Sequence, residues 1–273
     1  MKEFYSDYHN TRTAEEQMPL LIGRSVELLE VLLSHLPLAP GRKPLRYMEV
    51  GFGNGASLLA AAQLGMEAVG FDLDPSNVRE VTQRAQSRGL SVQLRCGDIA
   101  EAIEGTEPVD FVKASQLIEH LIDPASFVRS ILKVMTPRGY LYLECPNNNA
   151  AFLRIKNRLR KRFARMNFYN SLKIGEHLWG FSQSGMNRLL RLSGYEVVFC
   201  SSYPLRHRYF QPENLFWYPS VRSGVAEAFS RRQAFPLLKS MIPVFDGLAS
   251  FALSEGIGLA TLARKQDEVE SNG

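Results

Sequence analysis

Apolar and polar residues fall in blocks along this chain, and the spacing within the blocks changes from helical to strand-like and back. From Leu20 to Leu33 the apolar positions recur three and four residues apart, which predicts a helix with one face on a core. Pro37, Pro40, Gly41 and Pro44 end that pattern and lead into the apolar run Leu45 to Val50, read as a first strand. Gly51, Gly53 and Gly55 interrupt it, and Ala56 to Leu64 is helical again. Val69-Gly-Phe-Asp-Leu-Asp74 is a second strand ending in acid, and Asp74 caps a helix that has Pro75 in its first turn, runs through Arg88 and stops at Gly89. Val92 to Ile99 and Val109 to Ala114 read as the third and fourth strands. Asp123-Pro124 opens a helix over Ala125 to Met135, and Thr136-Pro-Arg-Gly139 turns into the strand Tyr140 to Glu144. Phe181-Ser182 opens the helix Gln183 to Leu192, which Gly194 ends before a sixth strand, Tyr195 to Cys200. Gly258 to Arg264 is the last strand, and the polar tail after Lys265 reads as mobile. This alternation predicts an α/β fold with a doubly wound, mostly parallel sheet.

The strand, glycine turn and helix at Tyr47 to Ser57 form a nucleotide-binding opening. Glycines let the turn bend and let a ligand approach the backbone with no Cβ in the way. Glu49, at the end of the strand, can accept hydrogen bonds there. The loop alone leaves two readings, since Gly51-x-Gly53-x-x-Ala56 also fits a dinucleotide fingerprint. Asp72 can take both hydroxyls of a ribose, and Gly97-Asp98 ends the third strand with a carboxylate that can meet an adenine amino group.

Glu49-x-Gly51-x-Gly53-x-Gly55, the acidic end of the second strand and Gly97-Asp98-Ile99 resemble, in order and spacing, the cofactor motifs of the class I S-adenosylmethionine-dependent methyltransferases. The resemblance covers most of residues 40 to 200. It implies a Rossmann-like seven-stranded sheet with an antiparallel last strand between the fifth and sixth. It also implies S-adenosyl-L-methionine as cofactor, held by Glu49, Gly51, Phe52, Gly53, Asn54, Gly55, Asp72, Leu73, Asp98, Ile99, Ser115 and Gln116, with Asp72 on the ribose and Asp98 on the adenine amino group.

Length and composition narrow this further. At 273 residues the chain suits one α/β core with a cap, and 45% hydrophobic with 22% charged residues is ordinary for a globular protein. The expected organisation is a single domain over 1–273, with an N-terminal helical segment at 1–44 and a cofactor-binding core at 45–145. A basic insertion follows at 146–180, then more core at 181–201, a helical cap at 202–256 and the last strand at 257–265. The start lacks a signal-like apolar region and no apolar run nears the roughly 20 residues of a membrane span, so a cytoplasmic protein is expected. Cys96, Cys145 and Cys200 lack metal-ligand spacing and read as buried free thiols. A net charge of +4 and a pI of 9.0 do not by themselves argue for nucleic acid.

Two segments, 146–180 and 202–256, break the regular pattern and are too long for structureless loops, so helices that build an acceptor pocket are expected there. Arg222 to Arg231 and Phe235 to Leu253 are the later ones, the second kinked at Pro243. Arg154, Lys156, Arg158, Arg160, Lys161, Arg162 and Arg165 share a stretch with no acid, while Phe152, Ile155, Leu159, Phe163 and Met166 fall on one helical face. This basic amphipathic helix can solvate its charge, lie on an anionic membrane surface, cover an anionic or lipid-like substrate, or, least in keeping with the sequence, bind nucleic acid. Tyr5, Tyr8 and Arg12 are candidates for the cofactor's methionine carboxylate, by analogy with relatives.

Methyl transfer needs an acceptor held near attack distance, exclusion of water and, for a hydroxyl, a proton acceptor. Ser115-Gln-Leu-Ile-Glu119-His120 follows the fourth strand, and His120, with an ordinary pKa of about 6.5, suits a general base. A histidine that only holds its neighbours by hydrogen bonds is the plainer alternative. The same stretch resembles the Glu-x-x-Glu-His of ubiquinone-pathway O-methyltransferases, where two acids and the histidine are associated with a divalent metal. Gln116 replaces the first acid, leaving Glu119 and His120, so no metal is expected. In Gly175-Glu-His177-Leu-Trp-Gly-Phe-Ser182, His177 can face the acceptor and Trp179 and Phe181 can line its pocket, or His177 can simply hold the loop. The reading is methyl transfer to a small organic acceptor, at oxygen, with His120, His177 and Glu119 as catalytic candidates. A non-catalytic cofactor-binding scaffold and an NAD-dependent oxidoreductase are the alternatives, the latter requiring a second nucleotide-binding half.

Overall fold

The helical spacing at Leu20 to Leu33 becomes α1, Met18–Ser34, which buries Met18, Leu21, Ile22, Leu28, Leu29 and Leu32 along one stripe. The computed structural model describes residues 15–34, 44–97, 103, 105–150, 177–203 and 258–266. After α1 come β1, Arg46–Val50; α2, Ala56–Gln63; β2, Glu67–Asp72; α3, Pro75–Ser87; and β3, Val92–Cys96. Then follow β4, Val109–Ser115; α4, Pro124–Val134; β5, Met135–Pro146; α5, Gln183–Leu192; β6, Tyr195–Tyr203; and β7, Gly258–Lys265.

The strands form one seven-stranded sheet in the order β3-β2-β1-β4-β5-β7-β6. β3 through β5 pair in parallel, while β7 runs antiparallel to both β5 and β6. Every residue of β1 is buried, which is why the strand reads as a run rather than an alternation. On one face Tyr47, Phe111, Tyr140 and Tyr142 pack under α1, α2 and α3; on the other, Met48, Val112, Leu141 and Leu143 meet Phe127, Val128 and Ile131 of α4 and Met186 and Leu190 of α5.

The predicted caps are present. Asp74 accepts from the Ser76 amide at 2.8 Å, Asp123 from the Ser126 amide at 2.9 Å, and Ser182 from the Gly185 amide at 3.1 Å. Two expectations need correction. The turn at Thr136–Gly139 lies inside β5, because α4 already stops at Val134. A residue before proline favours extended backbone, so Thr136 joins the strand, and the extra residues push out between the pairs Val109–Met135 and Phe111–Tyr140. Of the cysteines, Cys145 is buried and Cys200 half-buried, but Cys96 is exposed at the end of the edge strand β3.

Several expectations fall outside the described residues: Tyr5, Tyr8 and Arg12, Asp98 and Ile99, the basic helix of 154–165, the helices of 222–231 and 235–253, and the tail. Among the described residues no helix is long and apolar enough to cross a membrane.

Candidate active site

The glycine loop lies at the carboxyl end of β1, the side on which ligands bind in open parallel sheets. Its shape is set from β2. The Gly53 amide donates to Asp72 Oδ2 at 2.9 Å, and Oδ1 accepts from the Asp74 amide at 2.9 Å and from Asn77 at 3.2 Å. The residue assigned to a ribose therefore also holds the loop, with carboxylate lone pairs to spare. Asn54 caps the Ala56 amide at 3.0 Å, and its carbonyl accepts from Arg84 at 3.1 Å. Gly55, at φ 75°, begins α2. Phe52 buries its side chain in the core, and its carbonyl accepts from the Gly55 amide at 2.9 Å; Leu73 is exposed beside Asp72. The Gly97 amide donates to the Asp72 carbonyl at 3.1 Å, which brings the end of β3 to the same rim.

Under the loop, Glu49 of β1 stands opposite Lys113 of β4 in the parallel register. Lys113 Nζ donates to Glu49 Oε1 at 3.0 Å and to Ser57 at 2.8 Å. Burial pushes the Glu49 carboxyl above its ordinary range and Lys113 opposes it. Burial also disfavours the Lys113 ammonium, yet Glu49 and Glu144 outweigh that and hold it charged. One strand over, Glu144 accepts from Tyr142 at 3.0 Å and from Ser115. Ser115 is thus engaged within the sheet end, and Gln116 turns the chain at φ 51°.

That turn delivers the second constellation. A Cβ on Gly51 would lie 3.4 Å from Leu117 Cδ1, in ordinary contact, so the stretch after β4 abuts the glycine loop. A 3-10 turn, Ile118–His120, then carries Glu119 and His120. The Glu119 carbonyl accepts from the amides of Leu178 at 2.8 Å and Trp179 at 3.0 Å, which draws His177 in from a distant part of the sequence. The His120 and His177 rings meet edge to face with centroids 4.8 Å apart, and His120 Nε2 lies 3.8 Å from Glu119 Oε1. Glu119 is 1% exposed and neither carboxylate oxygen has a hydrogen-bond partner among the described residues. Burial raises its pKa to about 7. The donor atoms of all three side chains lie within 4.8 Å of one another. Counting only Glu119 and His120 as possible ligands was therefore incomplete: the fold adds His177. The group can pass protons near neutral pH, and with neutral imidazoles it can also coordinate a divalent cation.

Trp179 is half exposed and donates from its indole to the Ile122 carbonyl at 3.3 Å. Phe181 is buried in the cluster that also holds Ile118. Its ring is in the core with Met186 and Leu190, and its backbone bridges to Asn147. The residues that sequence reasoning missed are Lys113, Asn77, Arg84 and Glu144. Lys113 alone carried a signal, a lysine inside the apolar run Val-Asp-Phe-Val-Lys-Ala.

A family model described as Methyltransferase domain matches residues 20–199. The chain is similar to the ubiquinone biosynthesis O-methyltransferase of Methylobacterium sp. (strain 4-46), 32% identical over 98 residues that cover 36% of this chain and 39% of that one. To the enzyme of the same name from Rhizobium etli it is 29% identical over 158 residues, 56% of this chain and 61% of that one. The chain thus spans less than two thirds of the length of both relatives. Among solved structures, the magnesium protoporphyrin IX methyltransferase of Synechocystis PCC 6803 with bound SAH superposes with a TM-score of 0.54 at 12% identity, covering 94% of this chain and 89% of that one, a likeness of fold alone. With the family match spanning most of the sheet and both constellations, the chain belongs to the methyltransferase-domain family.

Proposed function

We propose that this chain transfers the methyl group of S-adenosyl-L-methionine to a hydroxyl oxygen of a small organic acceptor, with the His120–His177 pair taking the proton and Glu119 supporting the imidazolium that forms. The observation that carries this reading is the meeting of Glu119, His120 and His177, from two separate segments, beside the glycine loop. A buried carboxyl without hydrogen-bond partners costs stability, and a proton-transfer role gives it a use.

The residues present fit the cofactor. The loop offers backbone at positive φ with no Cβ, Asp72 presents a carboxylate at the end of β2, and Glu49 keeps one buried oxygen without a partner among the described residues. When bound, the cofactor supplies a methyl group already activated on a sulfonium. Gly51 to Gly55, Asp72 and Leu73 would hold it from the β1 and β2 ends, Ser115 and Gln116 from the β4 end, and Asp98 and Ile99 from the β3 end. His120 and His177 then orient the acceptor hydroxyl and accept its proton, and Glu119 offsets the charge so created. An NAD reading of the loop needs a second nucleotide-binding half. Such a half adds parallel strands beyond β4, whereas here β7 runs antiparallel between β5 and β6.

Isotopically labelled methyl transfer to panels of phenolic, amine and carbon acceptors, with product analysis, tests this reading. Transfer to oxygen is expected, falling about 10²- to 10⁴-fold in His120→Ala and His177→Ala while S-adenosylhomocysteine still binds. Methylation at nitrogen or carbon, or full activity in both variants, would overturn it. Base catalysis by the imidazoles also predicts a rate that chelators leave unchanged; a rate that falls with chelator and returns with a divalent cation would mean that the same three side chains act as ligands.

A further inference from the structure

Gly51, Gly53 and Gly55 all stand at positive φ, and glycine loses more conformational freedom on ordering than any other residue. A ligand that meets an unordered loop must order it first, which weakens binding, whereas a loop ordered beforehand binds more tightly. The Asp72 carboxylate pins the Gly53 amide from the β2 side. The next peptide unit, between Asn54 and Gly55, is pinned at both ends. Its N–H donates to the Phe52 carbonyl at 2.9 Å, and its C=O accepts from Arg84 Nη1 of α3 at 3.1 Å.

Arg84 is built into that position. Its side chain is only 10% exposed, with Nε donating to Glu15 at 3.0 Å and Nη2 to Glu80 at 3.3 Å. Each of its three nitrogens has a different partner, which fixes the plane of the guanidinium and aims Nη1 at the loop. Val81, one turn earlier on the same face of α3, fills the space beside Gly55 that a Cβ would take, so helix and loop meet through an apolar contact and a hydrogen bond side by side. The two acids are 59% and 35% exposed, and ion pairs of that kind stabilise a fold only weakly. The carbonyl contact is what the covered guanidinium adds. We propose that Arg84 is a positioning residue for the cofactor: through the Asn54 carbonyl it holds the glycine loop in its ligand-ready shape before S-adenosylmethionine arrives. This rests on the methyltransferase reading and gives α3 a part in cofactor affinity without any Arg84 atom touching the ligand.

Calorimetric titration of S-adenosylhomocysteine into the native chain, Arg84→Lys, Arg84→Gln and Glu15→Gln, together with amide hydrogen exchange of the ligand-free proteins, separates this role from a structural one. Arg84→Lys keeps the charge but has one nitrogen where three made bonds, so it cannot hold an acid and the Asn54 carbonyl together. Arg84→Gln loses the charge as well, and both replacements are good helix formers that leave α3 intact. Both should bind S-adenosylhomocysteine about fivefold to tenfold more weakly than the native chain. In both, the amides of Gly53 to Ala56 should exchange about fivefold or more faster before ligand is added, with exchange over Val78 to Ala85 of α3 unchanged and the loop protected again at saturating ligand. Glu15→Gln removes a charge but keeps an acceptor oxygen for Nε, and should bind within about twofold of the native chain. Native affinity in either Arg84 variant would overturn the proposal, as would an equal loss in Glu15→Gln, or loop exchange that stays unchanged or rises together with that of α3. If the native chain does not bind S-adenosylhomocysteine, the cofactor reading itself fails, and the proposal with it.

Discussion

At the scale of single residues the chemistry concentrates on Glu119. Its ordinary pKa of 4.5 rises to about 7 because the carboxyl is buried. A raised pKa means that the folded state holds the proton more tightly than the unfolded one. The stability this contributes is complete below the unfolded value and is lost as pH rises through 7. Glu119→Gln carries no such charge. Denaturant titrations should therefore show its stability, relative to the native chain, improving by about 2 kcal/mol between about pH 5 and pH 8. A pH-independent difference would mean that Glu119 is not perturbed. How legible such residues are differs from case to case. Asp72 and His120 stand next to their motifs and could be read from them. The His120–His177 contact and the Glu49–Lys113 pair join residues far apart in sequence, and only the sheet register and the Glu119 carbonyl bonds bring them together.

At the scale of elements, caps and glycines follow local rules and were readable, because a cap needs only its own three or four residues. The start of β5 was not, since a helix can hand directly to a strand when proline forbids its continuation. The turn into α2 is the most demanding local feature. A Cβ on Gly55, already at φ 75°, would lie 2.5 Å from Val81 Cγ2 and 3.1 Å from Val81 Cβ. Val81 cannot clear that space by rotating a flexible end, so α2 or α3 must shift. Gly53, at φ 50°, has nothing within 4 Å of such a Cβ. Gly55→Ala should cost about 3 kcal/mol or more, and Gly53→Ala about 1 kcal/mol, in chemical unfolding. Equal costs would mean that the α2–α3 contact is looser than the packing indicates.

For the molecule as a whole, the strand-helix alternation foretold the parallel part of the sheet, and the family resemblance supplied the antiparallel β7 that no local pattern encodes. The acceptor pocket was not legible. Its specificity was expected from 146–180 and 202–256, where helical amphipathicity says that a segment packs but not what it encloses. The architecture brings the ends of β1, β2 and β4 to one rim, and the proposal places the S-adenosyl ligand there, met by the Asp72 that already holds the glycine loop. The most direct test is calorimetric titration of S-adenosylhomocysteine into the native chain and into Asp72→Ala. Binding in the micromolar range, lost or weakened at least about tenfold in the variant, is expected. No binding to the native chain, or equal binding to both proteins, would contradict it.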